Sequence, residues 1–290
     1  MKLFNLFVGA ITLISTCFAA PVSSNVKWAG FNYSLSGVKN SFGIVPSDSD
    51  VTGYVNSMKN RINKDAKPTL LLTVGTYSND KCVFGFNQPK NTANLSNVRF
   101  NSQDKFSSIL NQCDKKGINV WLVVEPGNNK LTDLAKIVLD QYGNHKSVQG
   151  FGVDLEWWNR NSNSNGTKLS NAEAEKVVTY IQGRNRNYTL VVKHWDASFM
   201  PKNYTNSIIL VNTSQSFTSR NNMINIFNSW AKTFNNNKVM FEIGFKSDKT
   251  IWKNDPIGVA KSIVSSVSQY NKQIGIIWTE FTMKDLVNTL

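Results

Sequence analysis

The chain contains 290 residues, of which 41% are hydrophobic and 18% charged, and this is enough for one large domain with a sizeable core. Its formal net charge of +13 could indicate a nucleic-acid partner. However, the 32 lysines and arginines are scattered along the chain and form no nucleic-acid-binding motif. We therefore expect no nucleic-acid partner, and favour a basic surface that an acidic cell wall or matrix would attract.

The N-terminus has the layout of a secretory signal peptide. Lys2 precedes an apolar run over residues 3–16, and cleavage after Ala19 would leave small residues at the required places. The run is short for a membrane anchor, and no later segment is long and apolar enough to span a bilayer. We predict a signal peptide over residues 1–20 and a single domain over residues 21–290. The mature protein is expected to be secreted, extracellular or associated with the cell wall, with no membrane contact.

The cysteines and the glycosylation sequons fit an exported protein. Once the leader is removed, Cys82 and Cys113 remain, and one disulfide between them is the economical prediction. Two isolated cysteines and two distant histidines make a metal site a poor alternative. Of six Asn-x-Ser/Thr sequons, two lie inside predicted strands, at Asn32 and Asn212, and are expected to be unmodified. The predicted glycosylation sites are the other four, Asn94, Asn165, Asn187 and Asn203.

Eight short apolar or alternating segments recur along the chain, and each has the length of a β-strand. The predicted strands are residues 26–33, 69–77, 119–125, 148–156, 188–196, 207–215, 238–245 and 274–281. Helical patterns separate most of them; a capping box begins the helix after the fourth strand at Ser170, and Asp255 followed by proline begins the helix after the seventh. The weakest units are the fifth, where residues 197–206 are too short for a good helix, and the eighth, where the given sequence stops eight residues after Thr282. This α/β alternation predicts a (β/α)8 TIM barrel, because an open doubly wound sheet would usually have fewer strands and an early glycine-rich turn.

The fourth predicted strand carries two acids to its end. Alternation places Asp154 and Glu156 on the same face as Gly150 and Gly152, opposite three apolar side chains. The apolar face would meet the helices, so we expect both acids to stand at the mouth of the barrel, where barrel enzymes carry out their chemistry.

Acids and aromatic rings also end several other strands. Neighbouring acids in a partly dry cleft separate their pKa values, which supplies an acid and a base for breaking an acetal, and aromatic rings suit stacking against sugars. His194 could tune these acids or could equally be a packed structural residue. Glu242, at the end of the seventh strand, is a possible second catalytic carboxylate. The predicted substrate contacts are Trp157, Trp195, Trp278, Glu125, Asp196, Glu280, Tyr77 and Gln215.

The segment from Gln149 to Glu156, Gln-Gly-Phe-Gly-Val-Asp-Leu-Glu, resembles the strand-four signature of family 18 glycoside hydrolases, the chitinases and their relatives, usually written D-G-x-D-x-D-x-E. With the last acids aligned, Glu156 matches the family's catalytic acid and Asp154 the aspartate that orients the substrate's acetamido group. Gln149 and Gly152 stand where the family has its first and second aspartates. Trp278 falls where the family keeps a tryptophan on strand eight.

The resemblance implies a secreted glycosidase that acts on chitin or another N-acetylhexosamine polymer of a cell wall or matrix. Glu156 would protonate the glycosidic oxygen while the substrate's own acetamide oxygen, held by Asp154, attacks the anomeric carbon. Two alternatives stay open. One is a retaining glycosidase with Glu156 as acid/base and Glu242 as nucleophile; the other is a sugar-binding barrel that lost catalysis with the acid missing at Gly152. We expect a monomer with a polysaccharide or oligosaccharide partner and no cofactor.

Overall fold

The computed structural model describes residues 25–90, 92 and 95–290. The predicted signal peptide and the predicted glycosylation site Asn94 lie outside the described residues. Among the described helices, none has the length and apolar character needed to cross a membrane.

Eight parallel strands close into a barrel, which confirms the predicted (β/α)8 fold. Strand β1 pairs in parallel with both β2 and β10, and this completes the ring. Strands β3 and β4 are an extension outside the barrel, where β3 runs antiparallel to the end of β2. The strands are β1 (Val26–Tyr33), β2 (Lys67–Ser78), β3 (Lys81–Phe84), β4 (Val98–Phe100), β5 (Asn119–Val124), β6 (Val148–Asp154), β7 (Thr189–His194), β8 (Ile208–Asn212), β9 (Lys238–Ile243) and β10 (Ile274–Trp278).

Helices surround the barrel, and two of them begin at the predicted caps. The Ser170 hydroxyl accepts a hydrogen bond from the backbone N–H of Glu173 at 3.2 Å, and Asp255 accepts one from Gly258 at 2.8 Å. After β7 the chain forms only a short 3₁₀ turn, Ala197–Phe199, as its length predicted. The helices are α1 (Leu35–Phe42), α2 (Asp48–Ile62), α3 (Ser107–Lys116), α4 (Leu131–Tyr142), α5 (Asn171–Arg184), α6 (Arg220–Thr233), α7 (Lys249–Trp252), α8 (Pro256–Val267) and α9 (Met283–Val287).

The barrel interior changes from apolar to polar toward the C-terminal ends of the strands. Large side chains fill its lower part, among them Trp28, Leu71, Trp121, Val123, Val191, Val211 and Met240. Inward positions recur every second residue, so the next inward side chains after Val123, Val191 and Met240 are Glu125, Lys193 and Glu242. The fold therefore gathers charged side chains from separate strands above a dry core.

Strand β6 ends two residues earlier than predicted. Asp154 is its last residue, and Leu155–Trp157 form a 3₁₀ turn in which Asp154 Oδ1 accepts a hydrogen bond from the backbone N–H of Glu156 at 3.2 Å. Strict alternation therefore does not hold for Glu156. The turn nevertheless buries Leu155 against the helical layer and leaves Glu156 half-buried at the barrel mouth.

The predicted disulfide is wrong, because Cys82 and Cys113 are both free thiols. Cys82 lies on β3 with its sulfur against Gly75, where an added Cβ would come within 2.6 Å of Sγ. Cys113 is buried on α3 in the layer between helices and strands. Burial raises the pKa of the Cys82 thiol well above its usual range and that of Cys113 to about 12. Both side chains therefore act as small apolar groups that fill space.

The described sequons differ in exposure as expected from their positions. Asn165, Asn187 and Asn203 are exposed, whereas Asn32 and Asn212 are buried. Glycosylation at the three exposed sites stays a prediction.

Candidate active site

A cavity of about 450 Å³ opens at the C-terminal end of the barrel. Its volume lies within the usual range for small-molecule sites. Acidic, cationic and aromatic side chains from several strands and loops share its wall. The acids are Glu125, Asp154, Glu156, Glu242 and Glu280; the cation is Lys193; the aromatic residues are Tyr77, Trp157, Phe245 and Phe281.

Lys193 occupies the floor of the cavity and is almost completely buried. Its Nζ lies 3.1 Å from Oε2 of Glu242 and 3.7 Å from Oδ2 of Asp154. Burial alone would lower the pKa of Lys193, but the carboxylates, Glu242 first, outweigh burial and raise the pKa above its ordinary value. Lys193 therefore stays an ammonium group and links an acid of β6 with an acid of β9.

Burial dominates the protonation of the acids on the floor. It raises the pKa values of both Asp154 and Glu242, while the nearby Lys193 opposes the rise in each case. The lysine is thus what favours the ionised form of these two carboxyls in a poorly solvated place.

Two further acids, Glu125 and Glu156, line the cavity. Burial raises the pKa of Glu125 to about 7, although its Oε2 accepts a hydrogen bond of 2.6 Å from the backbone N–H of Tyr77. Burial also raises the pKa of Glu156, opposed by Arg160 and Lys193. Burial therefore raises the pKa of each of these four carboxyls, and Lys193 opposes the rise at each of them, so the cavity offers several acids able to donate or accept a proton, as general acid–base chemistry requires.

Aromatic rings form one side of the cavity. The rings of Tyr77 and Trp157 lie 5.1 Å apart between centroids, and the guanidinium of Arg160 lies 4.2 Å from the centroid of Trp157. The Tyr77 hydroxyl donates to Asp80 at 2.7 Å. These contacts hold two flat rings beside Glu156, where a sugar ring could stack.

Other parts of the cavity lining carry polar groups with and without partners. Glu280 accepts hydrogen bonds of 2.7 Å from Asn32 Nδ2 and from Ser34 Oγ, so both of its oxygens are engaged. By contrast, Asn32 Oδ1 and Thr213 Oγ1 are buried without a hydrogen-bond partner, and both residues line the cavity. Buried polar atoms are nearly always paired, so these two mark positions that a ligand could satisfy.

Most of the predicted site residues meet in this one cavity. They are Glu125, Asp154, Glu156, Trp157, Glu242, Glu280, Tyr77 and Gln215. Sequence reasoning missed Lys193, although the alternation Thr189, Val191, Lys193 in the fifth barrel strand would have placed it inward. It also missed Asn32 and Thr213, which ordinary patterning does not distinguish from other polar residues at strand ends.

Trp278, by contrast, does not contact the cavity. Its side chain is completely buried: the indole N–H donates to Thr282 Oγ1 at 2.9 Å, and the ring packs edge-on against Trp252 at 5.2 Å. Ile274 and Ile276 lie in the same outer core. Trp278 shares their strand face, so it points toward the helices, and the prediction of a substrate contact is corrected to a packing role.

Trp195 and Asp196 lie outside the cavity as well. The chain leaves the sheet after His194, so alternation no longer carries these side chains inward. Trp195 is 41% exposed and lines a separate groove beside α6, together with Asp196. Asp196 accepts a hydrogen bond of 2.8 Å from the N–H of Ser198 and caps the 3₁₀ turn.

His194 is a structural residue. Its Nδ1 accepts a hydrogen bond of 2.8 Å from the backbone N–H of Asp196, so Nε2 carries the proton and donates to the carbonyl of Asn165 at 2.9 Å. The imidazole stacks on Phe199 with centroids 3.9 Å apart, and burial lowers its pKa. Both ring nitrogens are hydrogen-bonded to the backbone, so His194 holds the chain after β7 in place. Within the part of the chain that the structure describes, no group of three or more His, Cys, Asp or Glu side chains is arranged to hold a metal ion.

The molecule is therefore a (β/α)8 barrel with an acidic cavity at the C-terminal ends of its strands. No family model matches the sequence, and no curated protein matches it either. A solved structure assigned as an α-L-fucosidase from Bacteroides thetaiotaomicron is 12% identical, with 98% of this chain and 97% of that chain covered and a TM-score of 0.56. At this identity the likeness shows a shared fold and nothing more.

Two further solved structures are more distant. A β-glucuronidase from Parabacteroides merdae is 10% identical at a TM-score of 0.48; the match covers 88% of this chain but only 31% of the glucuronidase. A family 5 glycoside hydrolase from Prevotella bryantii, in complex with a xyloglucan oligosaccharide, is 10% identical, with 92% and 95% of the two chains covered and a TM-score of 0.45.

Proposed function

We propose that the protein is a secreted glycoside hydrolase that cleaves O-glycosidic bonds of a cell-wall or matrix polysaccharide, with Glu156 as general acid. The observation that carries the proposal is that Glu156, Asp154 and Glu242 line one cavity with Trp157 on its side. Hydrolysis of an acetal needs a proton donor and a second group that stabilises or attacks the anomeric carbon. The assignment of the Bacteroides protein as a fucosidase agrees with this class of reaction.

Glu156 suits the role of general acid. It is half-buried at the cavity, so a bound substrate can reach it, and burial raises its pKa so that it keeps its proton to a higher pH than a free glutamic acid. A protonated carboxyl beside the leaving oxygen lowers the barrier to bond cleavage.

Asp154 supports a substrate-assisted mechanism. It lies next to Glu156, and its Oδ2 is 3.7 Å from the Lys193 ammonium. In this mechanism it orients the acetamido group whose oxygen attacks the anomeric carbon. Under this mechanism we propose chitin or another N-acetylhexosamine polymer as the substrate.

Glu242 supports a second mechanism on the same site. Its Oε2 lies 3.1 Å from the Lys193 ammonium, which favours a carboxylate able to attack the anomeric carbon and form a covalent intermediate. Glu156 would then serve as acid and afterwards as base.

A hydrolysis panel tests the proposal. Wild type, Glu156→Gln and Glu175→Gln, an exposed glutamate of α5, are incubated with chitin, chitosan, β-glucan and xyloglucan oligosaccharides. We expect turnover of at least one of them by wild type and by the control, and a loss of about 10²- to 10⁴-fold in Glu156→Gln. Sugar binding without turnover in all three proteins would reject the hydrolase and leave the carbohydrate-binding alternative.

The two mechanisms give different trapped species. A 2-deoxy-2-fluoro glycoside should add covalently to Glu242 if the enzyme forms a glycosyl intermediate, and mass spectrometry of the digested protein locates the adduct. A thiazoline that mimics the cyclised acetamido group should instead be a strong inhibitor if the substrate assists.

A further inference from the structure

The charge of the cavity is opposite to that of the chain. The whole protein has a formal charge of +13, whereas the cavity is lined by five carboxyl groups and, within the described residues, by the single ammonium of Lys193. Arg160 is a second cation near the rim, where its guanidinium lies against Trp157. The acidity is therefore a local property of the site.

The groups of the protein compensate these carboxyls only in part. Lys193 forms ion pairs with both Asp154 and Glu242. Glu280 accepts hydrogen bonds from the neutral donors Asn32 and Ser34. Neutral hydrogen-bond donors reduce the cost of a buried carboxylate but leave its charge in place.

Among the residues that the structure describes, no cation forms a salt bridge with Glu125 or Glu156. Glu125 accepts a neutral backbone N–H, and no salt bridge of Glu156 occurs among the described residues. The cavity thus has more acidic groups than cations among its lining residues, and it either keeps an excess of negative charge or holds protons that reduce it.

Unpaired atoms in the wall indicate which groups a ligand should bring. Asn32 is 5% exposed and Thr213 is 6% exposed, and Asn32 Oδ1 and Thr213 Oγ1 have no partner. The Asn32 amide nitrogen is already used by Glu280, so its free oxygen can only accept. A ligand that donates hydrogen bonds would pair the free oxygen of Asn32. A ligand that also carries positive charge would compensate the carboxyl groups of the cavity.

We propose that the sugar recognised in this cavity carries a protonated amine, as in the free amino-hexose units of a deacetylated hexosamine polymer. The inference rests on the proposed function in taking the ligand to be a sugar, and at the point of cleavage it agrees with the covalent mechanism through Glu242, because a free amine has no acetamide oxygen to attack the anomeric carbon. An ammonium group offers three donors and a charge, whereas a hydroxyl is neutral and an acetamide offers one donor without charge. A uronic acid would be repelled by the same carboxyls.

Proton release is the signature of this recognition. Glu125, with its pKa raised to about 7 by burial, is partly protonated near neutral pH. A cation bound beside it favours its carboxylate and expels the proton, whereas a neutral sugar of the same shape does not.

Calorimetry on the wild-type protein compares three tetramers of one linkage, built from glucosamine, N-acetylglucosamine and glucose, together with the corresponding galactosamine and galactose series. We expect the amine of at least one series to bind about tenfold or more tighter than its neutral counterparts at pH 7. Added salt should weaken the amine selectively. Titrations in two buffers of different ionisation enthalpy, at a pH where the free amine is already fully protonated, should show proton release for the amine alone.

A matched pair of variants tests the role of the wall. Glu280→Gln removes one charge and keeps an oxygen that Asn32 and Ser34 can bond, so it should lower the affinity for the amine about tenfold more than the affinity for the neutral tetramer. Glu175→Gln, the exposed control, should change neither.

Neutral or acetylated tetramers that bind as tightly as the amines in both series, or no binding of any amine, would overturn the inference. The two proposals fail separately. If the protein cleaves acetylated or neutral oligomers and shows no preference for amines, the proposed hydrolase activity stands and the inference of amine recognition is rejected. If it binds amines selectively but cleaves no glycan, amine recognition stands and the hydrolase activity is rejected.

Discussion

Replacing Lys193 with methionine tests whether one ammonium group holds the cavity acids in their charged form. Its Nζ is 3.1 Å from Glu242 and 3.7 Å from Asp154. At an effective dielectric constant of about 20, each attraction is about 4 to 5 kcal/mol before desolvation is counted. Removing one partner of a buried ion pair typically costs about 3 to 5 kcal/mol, because the other charge stays buried. Methionine has a similar length and no charge, so the loss should be mainly electrostatic.

The loss should depend on pH in a definite direction. Burial already raises the pKa values of Asp154 and Glu242 above their ordinary values, and without the ammonium they should rise further. A carboxyl whose pKa is higher in the folded than in the unfolded state stabilises the fold below its unfolded pKa, and loses this contribution as the pH rises through its folded pKa. Lys193→Met should therefore be close to wild type at about pH 5 and lose about 3 to 5 kcal/mol at about pH 8.

Urea unfolding followed by tryptophan fluorescence measures the difference at both pH values. Lys261→Met, an exposed lysine of α8, is the control and should stay within about 0.5 kcal/mol of wild type. An equal loss of stability for Lys193→Met at both pH values would show a packing defect, and a loss below about 1 kcal/mol at pH 8 would refute the electrostatic argument.

The general acid, the aromatic wall and the buried thiols give three further expectations. Because Glu156 must be protonated and burial raises its pKa, kcat/KM should fall on the alkaline side only above the ordinary glutamate range; a fall within that range in a pH–rate profile would contradict its role. Trp157→Ala should raise KM about 3- to 10-fold, because the ring lines the cavity. Trp278→Ala should leave KM unchanged and lower the free energy of unfolding by about 3 to 5 kcal/mol, because the ring is buried in the outer core. Equal effects of the two substitutions on KM would place both rings at the substrate. A reducing agent should leave Tm unchanged, since Cys82 and Cys113 are free thiols, and thiol titration of the unfolded protein should find both of them.

The barrel was predictable because each strand carries its own local signal. The first strand was predicted over residues 26–33, where β1 is observed, and the capping box at Ser170 begins α5. The ends of strands were harder to predict. Alternation continues in the sequence through Glu156, but the hydrogen-bonded ladder stops at Asp154, where the side chain caps a 3₁₀ turn instead. Both acids reach the cavity even so, because the turn begins at the barrel mouth.

The direction of Trp278 was not predictable from its strand. β10 reads Ile-Gly-Ile-Ile-Trp and is buried on both faces, so alternation of polar and apolar residues gives no parity. The position of Trp278 near the end of its strand then suggested that it lines the cavity. In the structure its ring faces the helices, and its indole N–H donates a hydrogen bond to Thr282. The prediction of a disulfide was wrong for a related reason. Two cysteines in an exported chain suggest a bridge, but the distance between them depends on how β3 packs outside the barrel.

The acids of the site could be nominated from sequence, but their protonation could not, because each carboxyl is governed by groups from other strands. Asp154 ends β6 and Glu242 lies on β9, and their charged forms depend on Lys193 of β7. In the sequence, Lys193 is a single lysine after two valines, with no sign of its partners on other strands. The same lysine also opposes the rise of the pKa at Glu125 and Glu156. One inward side chain thus acts on the protonation of acids from several strands, and their roles in such a cavity follow from its three-dimensional distribution of charge.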